Sequence, residues 1–135
     1  MEPKSILVID DDEDVLDLVV ETLKPLGATV DRAATREEII QYLFQDGRYD
    51  LIITDVWMPW MSGLQVVNFA QMIGTKTPVL FISGFADPSL EERVRVFGEH
   101  ARLLRKPFDP NELLCIVRDL LEQPKAQQAG EAITT

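Results

Sequence analysis

The sequence predicts an α/β fold: five parallel strands in a doubly wound sheet with helices on both faces. Three observations carry this. Short apolar runs alternate with longer amphipathic stretches five times along the chain. Three of those runs, SILVI, LIIT and VLFI, are apolar almost throughout, as strands covered on both faces are. Helix-start signatures and glycines punctuate the stretches between them.

The elements follow in order. Ser5–Asp10 is a short β-branched run ending in acid. Asp14–Leu26 sets Val15, Val19 and Leu23, with Leu16 and Val20, on one helix face, and Gly27 reads as its C-cap. Ala28–Ala33 alternates weakly around Val30, which predicts an edge strand. Thr35-Arg36-Glu37-Glu38 is a capping box opening a helix through Phe44, and Asp46-Gly47 predicts a turn. Asp50–Asp55 is a second buried-type strand ending in acid. Ser62 and Gln65 cap a helix that carries Val66, Val67, Ala70 and Ile73 and closes at Gly74.

Pro78–Ser83 is the next apolar strand. Asp87-Pro88 suits an N-cap with proline at the first helical position. Leu90, Val94 and Phe97 form that helix's stripe, and Gly98 ends it. Arg102–Lys106 is a short strand. Asp109-Pro110-Asn111-Glu112 opens a last helix with Leu113, Val117 and Leu120 inward. One domain is expected over residues 1–123. Residues 124–135 lack periodicity and read as a disordered tail.

Composition narrows the function. The chain has 135 residues, 46% hydrophobic and 27% charged, which is one globular domain with room for a full core. Cys115 is the only cysteine, so an internal disulfide is excluded. No apolar run approaches the roughly 20 residues of a membrane helix. Met1-Glu2-Pro3-Lys4 is too short and polar to begin a secretory signal. A cytoplasmic protein without membrane insertion is expected. The net charge of −10 repels nucleic-acid backbones and anionic lipid, and favours metal cations and basic partner surfaces.

In an open parallel sheet, ligands sit at the carboxyl ends of the strands. There the sequence places Asp10-Asp11, Asp55, Ser83 and Lys106. Three clustered carboxylates repel one another unless protons or a cation intervene. Oxygen-only ligands favour a hard cation, Mg²⁺ first. Lys106 cannot bind metal but can pair with a carboxylate or a phosphoryl oxygen. Such a set suits phosphoryl transfer to a carboxylate. Each residue alone has a plainer reading. Acids at 10–14 complement a helix dipole, Asp55 could serve a turn, and Lys106 could be a solvated charge. Their convergence at one sheet edge is what favours chemistry.

Over about residues 4–122 the chain resembles the bacterial response-regulator receiver domains. The motifs are VIDDD at 8–12, the run Asp55-Val56-Trp57-Met58-Pro59-Trp60-Met61-Ser62-Gly63, Phe81-Ile82-Ser83-Gly84 and Lys106-Pro107-Phe108. The resemblance implies a flavodoxin-like (βα)5 fold with strand order 2-1-3-4-5. It implies that Asp55 accepts a phosphoryl group from a histidine kinase or a histidine phosphotransfer protein. Asp11 would hold Mg²⁺ directly and Asp10 directly or through water, with Asp55 and the backbone carbonyl of Trp57 as further ligands. Lys106 would pair with Asp55 and then with the phosphoryl oxygens. Ser83 would hydrogen-bond the phosphoryl group, and the Lys106–Pro107 bond would be cis. The domain would be a phosphoacceptor that assists its own phosphorylation and dephosphorylation, rather than an enzyme acting on another substrate.

Two departures stand out. Receivers usually carry Tyr or Phe three residues before the lysine, where this chain has Leu103. Trp57 and Phe85 stand two residues after Asp55 and Ser83, at positions that influence acyl-phosphate hydrolysis in the family. Two large apolar side chains there imply a long-lived phosphoryl state.

Other residues read plainly. Cys115 is expected in or near the core. His100, the only histidine, has no nucleophile pattern beside it. Trp60 reads as a loop-packing residue. Arg93, Arg95, Arg102 and Arg105 are a solvated face or, more sharply, a docking or dimer surface for an acidic partner. A haloacid-dehalogenase-style phosphatase would want a second Asp where Trp57 stands, and no Gly-x-Gly-x-x-Gly for a dinucleotide follows the first strand. A phosphorylation-independent interaction domain would lack Asp55, Asp11 or Lys106, and all are present. The chain could also be a fragment of a longer regulator or hybrid kinase. If it is complete, its output is a contact with a downstream protein, and a homodimer is left open.

Overall fold

A computed structural model describes residues 4–45, 49–59, 61–72, 77–84, 88–98 and 100–122. Five strands and five helices alternate: β1 Ser5–Ile9, α1 Glu13–Leu23, β2 Thr29–Ala33, α2 Arg36–Gln45, β3 Leu51–Asp55, α3 Gly63–Met72, β4 Val79–Ser83, α4 Pro88–Arg95, β5 Ala101–Arg105 and α5 Pro110–Glu122. All strands pair in parallel, in the order β2-β1-β3-β4-β5. β2 lies at an edge, as its weak alternation predicts.

The apolar strands divide their side chains between two cores. Leu7, Ile9, Ile52 and Phe81 pack against α2, α3 and α4. Ile6, Val8, Leu51, Ile53, Leu80, Ile82 and Leu104 pack against α1 and α5. Every residue of β3 and β4 is buried, which explains runs without polar alternation.

Local chemistry sets the helix ends. Asp12 caps α1 by accepting from the Asp14 N–H at 2.9 Å. Thr35 accepts from the Glu38 N–H at 3.2 Å, while the Glu38 carboxylate reaches back to the Ala34 N–H at 2.8 Å. Ser62 and Gln65 exchange backbone-to-side-chain bonds of 2.9 and 3.2 Å at the start of α3, a reciprocal capping box. Asp109 accepts from the Asn111 N–H at 2.9 Å before α5.

Three expectations need correction. The first helix is α-helical only to Leu23, and Lys24–Leu26 tightens into a 3₁₀ turn. Pro25 has no N–H to continue the ladder. Gly27 then closes the turn at φ 69, a left-handed conformation. The fifth strand spans Ala101–Arg105, so Lys106 falls just beyond it. Cys115 is exposed, because α5 buries Leu113, Val117 and Leu120 and turns the position two residues beyond Leu113 outward. The Asp46-Gly47 turn, Ile73, Gly74, Asp87, Phe85, Trp60 and the 124–135 tail lie outside the described residues.

Candidate phosphoacceptor site

Strand register builds the site. Ile9 is opposite Thr54, so Asp10 follows β1 where Asp55 ends β3. Asp55 is opposite Ile82, and Ser83 is opposite Arg105. The Lys106 N–H donates to the Ser83 carbonyl at 2.8 Å, which fixes where the chain leaves β5. Asp55 shares the parity of Leu51 and Ile53, on the α1–α5 side of the sheet. Ser83 shares the parity of Val79 and Phe81, on the α2–α4 side. The Lys106–Pro107 bond is cis.

Asp10 and Asp55 are 3% and 7% exposed, and Ser83 is fully buried. The Lys106 Nζ lies 3.3 Å from Asp55 and 3.4 Å from Asp10. It therefore pairs with two carboxylates, where the sequence led us to expect Asp55 alone. Asp11 is exposed beside them, and one oxygen from each of Asp10, Asp11 and Asp55 lies within 4.8 Å of the others.

Burial dominates the electrostatics. It raises the Asp10 carboxyl to about 6, against a 2.9 Å bond from the Asp12 N–H that favours the anion. The Asp55 charge raises Asp10 further, and Lys106 opposes it. Burial also raises Asp55, Lys106 opposes, and Asp11 adds to the rise. For Lys106, burial pulls down, while Asp10 and Asp55 together pull harder upward, so the ammonium stays protonated. Three carboxylates with one ammonium leave an unbalanced negative charge, and their oxygen-only donor set fits a hard divalent cation such as Mg²⁺.

Residues 6–118 match the response regulator receiver domain family. The chain belongs to that family. Among its relatives is the response regulator MprA of Mycobacterium leprae, 33% identical over 95% of this chain and 55% of that protein. This receiver domain thus spans about half the length of that relative. The chemotaxis protein CheY4 of Vibrio cholerae superposes with a TM-score of 0.77 at 30% identity, covering 88% of this chain and 99% of that one. A CheY-like receiver domain of Methanospirillum hungatei gives 0.79 at 26% identity, over 90% and 95%. The domain is a phosphoacceptor signalling module of two-component systems, built on the CheY-like flavodoxin fold. No helix among the described residues is long and apolar enough to cross a membrane.

The remaining candidates fall into place around this site. Trp57, 37% exposed, is bridged to Ser62 just beyond Asp55. Leu103, opposite Phe81, packs on the α2–α4 core, as Phe97 does, and the Phe81 and Phe97 rings stand 5.6 Å apart, tilted by 40°. Two of the four arginines pair locally, Arg95 with Glu92 at 3.5 Å and Arg105 with Glu91 at 3.7 Å. The His100 Nδ1 is buried without a hydrogen-bond partner among the described residues.

Two features escaped the sequence reading. Gly63 packs against the Asp55 carbonyl so closely that a Cβ has no room. A groove of about 460 Å³ lined by Val15, Leu18, Gly84, Lys106, Pro107 and Phe108 opens beside the site. Leu18, apolar but off the Val15–Val19–Leu23 spacing of α1, was a signal for it in the sequence.

Proposed function

We propose that this receiver domain is a phosphorylation switch. Asp55 accepts a phosphoryl group from the phosphohistidine of a sensor kinase or a histidine phosphotransfer protein, with Mg²⁺ bound beside it. The observation that carries this is the meeting of Asp10, Asp55 and Lys106 within 3.4 Å contacts at the carboxyl edge of the sheet. Asp11 and Asp55 would hold the cation directly, Asp10 directly or through water, and the Trp57 carbonyl would be the fourth protein ligand. The bound cation supplies charge neutralisation and orientation.

The chain's own residues do the rest. A carboxylate oxygen of Asp55 attacks phosphorus as the P–N bond breaks, and the electron pair leaves with the imidazole. Lys106 exchanges a carboxylate partner for a phosphoryl oxygen, a charge-assisted bond of the stronger kind. Ser83 donates its hydroxyl to another phosphoryl oxygen. The phosphoryl group's departure to water uses the same residues, so the domain also assists its own dephosphorylation. Leu103 offers no ring or hydroxyl to follow Ser83. Coupling to the α4–β5–α5 surface then runs through its packing on the core that holds its strand neighbour Phe81, and a downstream protein reads that surface. The domain acts in the cytoplasm.

Incubation with Mg²⁺ and acetyl phosphate, followed by intact mass measurement, tests this directly. Wild type is expected to gain one phosphoryl group, lost with chelator and in Asp55→Asn. A folded protein that takes no phosphoryl group from acetyl phosphate or from phosphorylated histidine kinases would refute the proposal.

Trp57 sets the lifetime of the product. Its large, partly exposed side chain follows Asp55 by two residues and offers no acid or amide to position a water. Trp57→Asn introduces an amide that can, and is expected to shorten the phosphoryl lifetime about tenfold or more. Loss of phosphoprotein after donor removal measures it, and an unchanged or longer lifetime contradicts the role.

A further inference from the structure

We infer that the groove beside Lys106 is a leaving-group subsite, through which this receiver prefers small acyl phosphates with an apolar acyl chain over acetyl phosphate. The inference rests on Asp55 being the phosphoacceptor and extends it to the other half of the donor.

The groove measures about 460 Å³, within the range of about 300–1,000 Å³ typical of small-molecule sites. Val15, Leu18, Pro107 and Phe108 give it apolar walls, and Gly84 keeps one side open. Leu18 is 46% exposed, one of few large apolar side chains so placed among the described residues. Apolar walls with one charged group at the end are the make-up of a small-molecule site. Among the described residues, the only charged group in the lining is Lys106. Its ammonium is 3.3 Å from Asp55, so the groove begins where phosphoryl oxygens would be held.

A phosphodonor has the matching polarity. Its anionic phosphoryl end pairs with Lys106, and its leaving group extends away from Asp55. An acyl chain then enters the groove between Val15 and Leu18 of α1 and Pro107 and Phe108. The transfer is balanced. The Asp55 carboxylate oxygen forms a bond to phosphorus while the bond from phosphorus to the acyl oxygen breaks. The electron pair departs with the acyl carboxylate, which leaves as an anion and needs no proton. Binding the chain helps the rate because it positions the phosphoryl group for attack.

The test uses the full chain with Mg²⁺ and a series of acetyl, propionyl, butyryl and benzoyl phosphate. Initial phosphorylation rates are read by intact mass at equal donor concentration and fixed pH. The rate is expected to rise about threefold per added carbon, below the about fourfold that full burial of a methylene supplies. Leu18→Ser should cut the butyryl-to-acetyl ratio to about twofold or less. Leu18 is half exposed, so the variant folds. Ile40→Ser, on an exposed face of α2, should leave the ratio unchanged. A flat series on a protein that does accept from acetyl phosphate overturns the inference and leaves Asp55 as the acceptor. It would hand the groove to the side chains around a protein-borne phosphohistidine. A rising series that survives Leu18→Ser also overturns it. No labelling of Asp55 by any donor defeats the proposed function itself.

Discussion

Asp10→Asn is expected to stabilise the metal-free protein at pH 8 by about 2 kcal/mol while removing most of its response to Mg²⁺. The reason lies in burial. Asp10 is 3% exposed and its carboxyl is raised from 3.8 to about 6, first by desolvation and then by the Asp55 charge. A folded-state value above the unfolded one means that the fold binds the proton more tightly. The stabilisation from this group is complete below about pH 4 and is lost as pH rises through about 6. Over that window, metal-free wild type should lose at most about 3 kcal/mol. Asparagine stays neutral, keeps an oxygen for the Asp12 N–H, and flattens the profile. The value of about 6 already includes the Lys106 pairing, and the gain falls short of the full amount because the amide sets an N–H₂ group beside the Lys106 ammonium where a neutral carboxyl presents oxygen. Urea midpoints at pH 5 and pH 8, with and without Mg²⁺, read the effect. In wild type, Mg²⁺ should restore what high pH removes, since a ligand that binds only the fold stabilises it by mass action. A variant no more stable than wild type at pH 8 would mean that the Lys106 pairing outweighs the desolvation.

That balance shows what the sequence could and could not carry. Strand ends were legible, because an apolar run that breaks into acid after Ile9 or Thr54 leaves few alternatives. The apolar character of β3 and β4 correctly implied cover on both faces. Neighbourhood across the sheet was less legible. Asp10 stands beside Asp55 only because β1 pairs with β3, and strand order came from family resemblance, not from periodicity. The second partner of Lys106 needed distances. The exposure of Cys115 was available to a helical projection, since it sits two residues from both Leu113 and Val117. The break after Leu23 was likewise available from Pro25, but a spacing of four that reaches Val19 and Leu23 masks it.

The glycine eight residues beyond Asp55 is the clearest case of a motif whose reason is invisible in sequence, and Gly63→Ala should damage both fold and site. A Cβ there would press into the Asp55 carbonyl oxygen, with Thr54 Cγ2 at 3.1 Å and the Asp55 carbonyl carbon at 3.2 Å. None of these is the free end of a flexible side chain. Relief requires a shift of α3 or of the backbone that carries the Asp55 carboxylate. The first is resisted by the Gly63 N–H bond to the Val56 carbonyl at 2.8 Å and by the Trp57–Ser62 bridge. The second is resisted by the β3–β4 ladder and the Val56 N–H bond to Ile82 at 3.0 Å. A loss of about 2–4 kcal/mol is expected, in the range of an overpacked backbone contact. Phosphoryl uptake in the folded fraction should fall about tenfold or more, because even a small displacement of the nucleophile is costly. Gly84→Ala is the matched comparison. Its Cβ would find Lys106 Cβ and Cδ at 3.7 Å, an ordinary contact, so its stability should stay within about 1 kcal/mol of wild type. Chemical denaturation of the two variants side by side decides the point. Similar losses would mean that α3 yields freely and that the close approach of Gly63 does not position Asp55. A large gap, with uptake lost in Gly63→Ala alone, ties the placement of the acceptor carboxylate to the absence of one methyl group on the facing helix.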